Sequence, residues 1–155
     1  MKNNLLRRTL FIAVSGCIGL AAAAPGDAVA LSATRPVIAI LDGELFVGEA
    51  EGRLDGGGTI TIRSQQNPSR TCLGEFMTTA AAKGGSGTLS CSDGGNANFR
   101  IQRLTIFKGH GAGTTSRGTL SFAYGLSMAE SQAYLQLPDG KKIATNGTQL
   151  ALVDR

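Results

Sequence analysis

The sequence predicts an all-β fold, a small antiparallel meander that closes into a barrel or rolled sheet. One short C-terminal helix and one disulfide complete the prediction. Glycine is frequent, at 22 of 155 residues, and the dipeptide Asp-Gly occurs four times. Both residues tolerate positive φ, so the dipeptide suits tight turns. Short apolar or alternating segments lie between these turns, as is typical of strands.

Residues 1–30 have the pattern of a secretory signal peptide, which leaves residues 31–155 as a single β-rich domain. Three basic residues precede the apolar run Thr9–Ala24, and small residues stand at Ala28 and Ala30. The run is shorter than the roughly 20 residues that a spanning helix needs. Cleavage after Ala30 would release an exported chain into the periplasm or cell envelope.

A second interpretation of the leader is lipidation. Val14–Cys17 (VSGC) resembles a bacterial lipobox, in which Cys17 would carry the lipid. The apolar sequence continues past Cys17 to Ala24, which favours ordinary cleavage. The protein is expected at a membrane only if it is lipidated.

The charge pattern argues against nucleic acid as a partner. Residues 31–155 carry 12 Lys and Arg against 10 Asp and Glu, a net charge of +2. The basic residues are scattered, with no run beyond Lys141–Lys142, as expected for a solvated surface. No cofactor motif is present in the sequence, and none is predicted.

The strand-like segments follow one another closely. In chain order they are Val37–Leu41, Glu44–Leu54, Gly58–Ser64, Thr71–Thr78, Gly87–Asp93, Ala97–Phe107 and Gly118–Tyr124. In the long sixth segment, Phe99 and Ile101 share a face with Arg103, whereas Leu104 and Ile106 fall on the other face. A bulge near Arg103 is therefore predicted, to keep one face buried.

One helix is predicted near the C-terminus, over Met128–Leu135. Ser127 and Glu130 form the sequence pattern of a capping box, and Pro138 ends the segment. The tail, Ile143–Val153, is predicted to add one weak last strand.

Cys72 and Cys91 are predicted to form a disulfide. A hairpin register in which facing residue numbers sum to 163 puts Cys72 opposite Cys91 and Gly74 opposite Leu89. An oxidising compartment and an even cysteine count agree with this pairing. The alternative is a reactive thiol, which usually needs a CxxC motif or a paired histidine, and neither is visible. Two cysteines and one histidine are too few ligands for a standard structural zinc site, so no metal is predicted.

His110 is the only histidine, and a Ser–His–Asp hydrolase is the catalytic alternative that it allows. Asp93 and any of several serines would complete such a triad on paper. The chain has no G-x-S-x-G elbow, so an exposed loop histidine is favoured and no catalytic residue is predicted.

The segment Phe107–Gly118 is predicted to be a glycine-rich loop and the best candidate for a binding surface. Its backbone N–H groups and cations suggest an anion-binding or ligand-binding nest. The residues assigned to that nest are Lys108, His110, Gly111, Gly113 and Arg117. A flexible hairpin loop without a ligand is the alternative.

A hairpin unit recurs in the chain. Segments beginning G-T-(I/L) start at Gly58, Gly87 and Gly118, and the first two follow a Gly-Glu segment. The unit weakly resembles the hairpin repeat of MORN proteins. It lacks the Tyr and Trp signature of that family, so MORN partners and lipid binding are not transferred.

A second resemblance covers about Leu54 to Leu135. The pattern C-x-G-x-F … G-x-G-x-L-x-C-x-D-G, followed by FAYGLS…ESQAYL within Phe122–Leu135, resembles a group of small exported proteobacterial proteins whose own segment has the form FxxGLS…EAxxYL. The group has no assigned activity, so the resemblance implies export and a shared β fold, and no catalytic residue. The predicted function is a non-catalytic binding or structural module of the envelope. Its partner is unidentified: an envelope protein or a small anionic ligand.

Overall fold

The computed structural model describes residues 31–79, 81 and 83–155. The predicted signal peptide and Cys17 lie outside these residues. No helix in the described part of the chain is long and apolar enough to cross a membrane.

Eight antiparallel strands form a closed barrel in simple meander order. They are β1 (Ser32–Leu41), β2 (Glu44–Arg53), β3 (Gly57–Ser64), β4 (Thr71–Thr78), β5 (Gly84–Cys91), β6 (Asn96–Arg103), β7 (Gly109–Thr115) and β8 (Thr119–Tyr124). Each strand pairs with the next, and β8 returns to pair with β1 from Leu41↔Leu120 to Val37↔Tyr124. This closure confirms the predicted fold class and leaves no unpaired edge in the barrel.

Because the strands alternate in direction, the loops collect at two ends. We call one end the base; it holds the turns after β1, β3, β5 and β7. We call the other end the mouth; it holds the start of β1 and the loops after β2, β4 and β6. All four Asp-Gly pairs lie outside the strands, in the connections between elements, as predicted. Asp42 (φ 52°) and Gly43 (φ 81°) both have positive φ and join β1 directly to β2.

The barrel interior is filled by phenylalanine rings that lie over glycines of neighbouring strands. A Cβ atom added to Gly87 would come within 2.4 Å of Cζ of Phe99, its partner on β6. The same relation holds between Gly58 and Phe76 and between Gly111 and Phe122. Only a residue without a side chain leaves room for each ring.

The Cys72–Cys91 disulfide is present, and the predicted hairpin register is confirmed. Cys72 pairs directly with Cys91, and every other β4–β5 pair follows the same register, for example Gly74 with Leu89. The bridge lies inside the barrel, toward the base, where Cys72 is fully buried.

The C-terminal tail forms a separate hairpin rather than one additional strand. β9 (Lys141–Asn146) and β10 (Gln149–Asp154) pair with each other, outside the barrel. Ile40 and Leu45, on the outer face of β1 and β2, form a second apolar cluster with Leu135 and Ile143. The predicted single strand was wrong because Asn146–Gly147 makes a turn, with φ of 63° at Gly147.

The helix exists but is shorter than predicted. α1 covers only Met128–Ser131, and its predicted capping box between Ser127 and Glu130 is present. The chain then tightens into turns, since Ala133 and Tyr134 donate backbone hydrogen bonds to residues three positions earlier. After these turns, Leu135 packs against Ile40 and Leu45 in the apolar cluster on the outer face of the barrel.

The predicted bulge near Arg103 does not occur. β6 ends at Arg103, and Leu104–Phe107 form a loop whose apolar side chains are exposed. Leu104 and Ile106 would fall on the opposite face from Phe99 and Ile101 if the strand continued. No bulge is needed, because the strand ends before them, at the mouth.

Candidate functional site

A cavity of about 430 Å³ opens at the mouth of the barrel. Its inner part is apolar, with Ala50, Phe76, Ile101 and the ring of Tyr124 among the lining residues. The same four residues also line a smaller void of about 20 Å³ between the interior phenylalanines. The cavity therefore ends on an apolar floor.

Two arginines belong to the inward-facing row of their strands at the level of this cavity. Arg35 of β1 lies two residues before the buried Val37, and Arg103 of β6 lies two residues after Ile101. Side chains two apart on a strand share a face, so both arginines lie on the inward face of the barrel, at its mouth end. Both line the cavity.

Arg35 is held against the loop between β6 and β7. Its guanidinium carbon lies 4.4 Å from the centroid of the Phe107 ring, and Nη1 donates to the Thr34 carbonyl at 2.8 Å. No carboxylate of residues 31–79, 81 and 83–155 forms an ion pair with Arg35. Its positive charge is therefore balanced by an aromatic face and a carbonyl rather than by an acid.

Tyr124 supplies a neutral hydroxyl at the same level. Burial raises the pKa of the Tyr124 phenol above its usual value, and the charge of Arg103 partly opposes that shift. A Cβ atom added to Gly109 would come within 2.4 Å of the Tyr124 hydroxyl oxygen, so the hydroxyl lies over the backbone of β7. At neutral pH the phenol keeps its proton and is a hydrogen-bond donor.

The lining of the cavity has a net positive charge. Besides Arg35 and Arg103 it contains Arg53, whose Nε lies 3.4 Å from Oδ2 of Asp55. Among the described residues that line the cavity, Asp55 is the only acidic one, against three arginines. Apolar walls around a positive opening concentrate negatively charged solutes there.

A charged network, by contrast, lies at the base. The Arg70 side chain is only 12% exposed and forms ion pairs with Asp42, Glu44 and Asp93. Its guanidinium also lies 5.2 Å from the centroid of the Phe46 ring, which fills the barrel interior above it. The mouth is therefore the open end.

The ion pairs at the base of the barrel predict that the free energy of unfolding decreases at low pH. The Arg117 hydrogen bond, followed by the Gly95 N–H, lowers the pKa of Asp93 to about 2. A carboxyl whose folded pKa is depressed stabilises the fold above its unfolded pKa, and this contribution disappears as pH falls toward the folded value. We expect the free energy of unfolding to drop by about 1 kcal/mol between pH ~4 and ~2, since Asp93 is partly exposed and screened.

Urea titrations at several pH values test this expectation. An Asp93→Asn variant should lack this part of the acid dependence. Asp139→Asn removes a carboxylate from an exposed turn outside the barrel and is the matched control, so its free energy of unfolding should fall in acid by as much as that of the native chain. Equal acid dependence in the Asp93 variant and the native chain would contradict the assignment.

The residues of the predicted anion-binding loop are not brought together. Gly109–Thr115 forms strand β7 rather than a loop, so Lys108 and Arg117 stand at opposite ends of the barrel. Lys108 lies 3.4 Å from Glu130, and Arg117 lies 2.7 Å from Asp93. Gly111 and Gly113 face the interior, where their backbone is covered by neighbouring strands and rings.

His110 lies on the outer face of β7. Its ring stacks on Tyr134 with centroids 4.1 Å apart and an interplanar angle of 14°. Burial lowers the pKa of His110 below its usual value. Asp93, the acid that a Ser–His–Asp triad would require, lies in the turn after β5 at the base, whereas His110 is the second residue of β7 and lies near the mouth. The structure thus gives His110 a packing role between the barrel and the segment after α1.

The residues that converge on the cavity were not singled out from the sequence. Arg35, Arg103 and Tyr124 come from the first, sixth and eighth strands, and no local motif connects them. One signal was present, since Arg103 shares a face with Phe99 and Ile101. When an arginine is the last residue of the buried, apolar face of a strand, the barrel is expected to be open and polar at that end.

Comparison with protein-family models, with curated proteins and with solved structures gave no match. In the part of the chain that the structure covers, no group of three or more His, Cys, Asp or Glu side chains could hold a metal ion. The resemblance to small exported proteobacterial proteins stays a prediction.

Proposed function

We propose that this protein is an exported, non-catalytic binding protein. Its ligand is a small molecule with an apolar body and an anionic head, held in the mouth of the barrel. The observation that carries the proposal is the cavity of about 430 Å³, with an apolar floor and two inward-facing arginines. The volume falls in the range of small-molecule sites, about 300–1,000 Å³.

The shape of the cavity suits the apolar part of such a ligand. Eight-stranded barrels are just wide enough to be filled by side chains or to hold one small ligand. The small residues Ala50 and Gly52, which line the cavity and share the inward face of β2, leave space near the mouth. The apolar end of the ligand would rest on Phe76 and Ile101.

The charges suit an anionic head. An anion placed at the mouth would accept charge-assisted hydrogen bonds from the cations there, which are stronger than those between neutral groups. Arg35 and Arg103 present planar guanidinium groups, which match carboxylate geometry, and Tyr124 adds a hydroxyl donor. A carboxylate is therefore the head group that this lining favours.

Export rests on the leader pattern of residues 1–30 and is supported by the Cys72–Cys91 disulfide. Lipidation at Cys17 would attach the same binding module to a membrane. The intact mass of the protein purified from the envelope distinguishes a chain that starts at Leu31 from one that carries a diacyl or triacyl group.

Calorimetric titration with decanoate and with decanol tests the proposed ligand class. We expect decanoate to bind more tightly, because only the carboxylate can pair with the arginines. In an Arg35→Met, Arg103→Met double variant, decanoate affinity should fall about 10- to 100-fold. Decanol affinity should change little, because methionine keeps the apolar part of each side chain.

Arg100→Met is the matched control for the charge change. Arg100 lies on β6 three residues before Arg103, but it points outward and is exposed. Its loss should leave decanoate binding unchanged. Equal affinity for decanoate and decanol in the native protein, or an equal loss in the Arg100 variant, would refute a carboxylate site at the mouth.

A further inference from the structure

The exposed apolar side chains of this barrel are concentrated at the mouth. Seven large hydrophobic residues are exposed in the described part of the chain. Two of them, Leu73 and Met77, lie on the outer face of β4. The other five are at the mouth and are called the rim: Leu31, Leu54, Leu104, Ile106 and Phe107.

The rim residues are highly exposed and come from separate segments. Leu54 is 81% exposed, Ile106 is 72% exposed and Leu31 is 68% exposed. They belong to the loop after β2, the loop after β6 and the residue just before β1. The barrel core does not use them, so the fold alone gives no reason for apolar residues at these tips.

Positive charge surrounds the same opening. Arg35, Arg53 and Arg103 line the cavity that the rim encloses, against the single acidic residue Asp55. Apolar tips combined with cations are the features by which proteins hold the surface of an anionic bilayer. Each basic residue near such a surface contributes attraction, and each apolar tip gains by leaving water.

The arrangement favours lipid over a protein partner. The rim tips stand around an opening rather than forming a continuous patch, so a rigid protein surface would leave the cavity beneath it unfilled. Acyl chains are deformable and can meet the tips and the cavity together. Residues 1–30 join the barrel at Leu31, so an anchor at Cys17 would also attach to the chain at this end.

We propose that the rim docks on the surface of a bilayer that contains anionic lipid, with the mouth facing the lipid. Leu54, Ile106 and Phe107 enter the interfacial region, while the arginines lie at the level of the head groups. A ligand with an apolar body would then pass between the bilayer and the cavity without crossing water. The docking itself depends on the rim and not on which ligand the cavity holds.

The absence of tryptophan from the chain makes a direct test available. In an Ile106→Trp variant the indole is the only one, and it is placed on the rim. Leu73→Trp is the matched control, since Leu73 is 62% exposed but lies on the barrel wall. The full chain is expressed and purified with its N-terminus determined by mass spectrometry, and is mixed with vesicles of equal parts phosphatidylcholine and phosphatidylglycerol.

We expect the emission of the Ile106→Trp variant to shift to the blue with these vesicles and much less with pure phosphatidylcholine. The Leu73→Trp emission should stay unchanged. This control also separates docking from simple anchoring, because a lipid on Cys17 would bring both variants to the vesicle, whereas only docking of the rim would bury the indole at position 106. An unchanged Ile106→Trp emission, or equal shifts in both variants, would overturn the proposal.

A second variant separates membrane docking from ligand binding. Leu104→Ser should weaken co-sedimentation with the mixed vesicles by about tenfold, because it removes apolar burial at the rim. Leu104 is a rim residue that does not line the cavity, so decanoate affinity measured without vesicles should persist in this variant. Undiminished co-sedimentation refutes docking, whereas failure of decanoate to bind the native protein refutes only the proposed ligand.

Discussion

Replacing Phe99 with alanine should destabilise the barrel by about 3–5 kcal/mol. Phe99 is almost fully buried, its ring centroid lies 5.2 Å from that of Phe122 in an edge-to-face contact, and it covers Gly87. The glycine cannot move into the space that the ring leaves. The substitution would therefore open a cavity as well as remove apolar burial.

Urea denaturation followed by circular dichroism measures this effect. Arg100→Ala, one residue along β6 on the exposed face, is the matched control and should change stability by less than about 0.5 kcal/mol. A loss below about 1 kcal/mol in the Phe99 variant would mean that the interior is not packed as described. Phe99 also lines the small void below the cavity, so the variant should accept a longer alkyl chain.

Removing the disulfide should cost about 3 kcal/mol. The bridge joins residues 19 apart in sequence, and the chain-entropy model predicts a stabilisation of this size for a loop of that length. Cys72→Ala with Cys91→Ala tests the effect without leaving a free thiol. The double variant should unfold at a lower urea concentration than the oxidised native protein.

Reduction of the native protein provides the comparison. The reduced chain should unfold at about the same urea concentration as the double alanine variant, since both lack the cross-link. The double variant should also keep its preference for decanoate over decanol, because the bridge lies toward the base and the arginines lie at the mouth. A native chain whose urea midpoint does not respond to reductant would show that the bridge adds no stability.

The two proposals describe different properties of one end of the barrel. The cavity accounts for three arginines and an apolar floor, and the rim accounts for exposed Leu54 and Ile106. Each can fail without the other, since decanoate titration needs no vesicle and tryptophan emission needs no ligand. If both hold, the protein would take amphipathic anions directly from a lipid surface.

Local features of the chain were sufficient for much of the fold. Alternation along segments such as Gly58–Ser64 predicted strands, and the Asp-Gly pairs predicted the turns between them. The register that joins Cys72 to Cys91 followed from the parity of two neighbouring segments. Properties of this kind depend on residues close in sequence, where the geometry of strand and turn is nearly fixed.

Errors arose where a segment had to satisfy distant neighbours. The glycine-rich segment around His110 lacks the apolar residues that indicate a strand. It nevertheless pairs as β7, because its glycines make room for Phe122 of β8 and for the backbone of β6. The segment after Ser131 leaves the helix because Leu135 packs on the outer cluster with Ile40. Neither effect is visible within the segment itself.

The amino-acid sequence by itself determined the strand-and-turn pattern and the pairing of the two cysteines. Only the tertiary structure decided that the meander closes as a complete barrel rather than a rolled sheet, that one end opens into an apolar cavity, and that Arg35 and Arg103 both line it. The two arginines belong to the first and sixth strands, and closure of β8 on β1 completes the wall between them. Convergence of residues so far apart depends on the curvature and closure of the whole sheet, which no short stretch of sequence encodes.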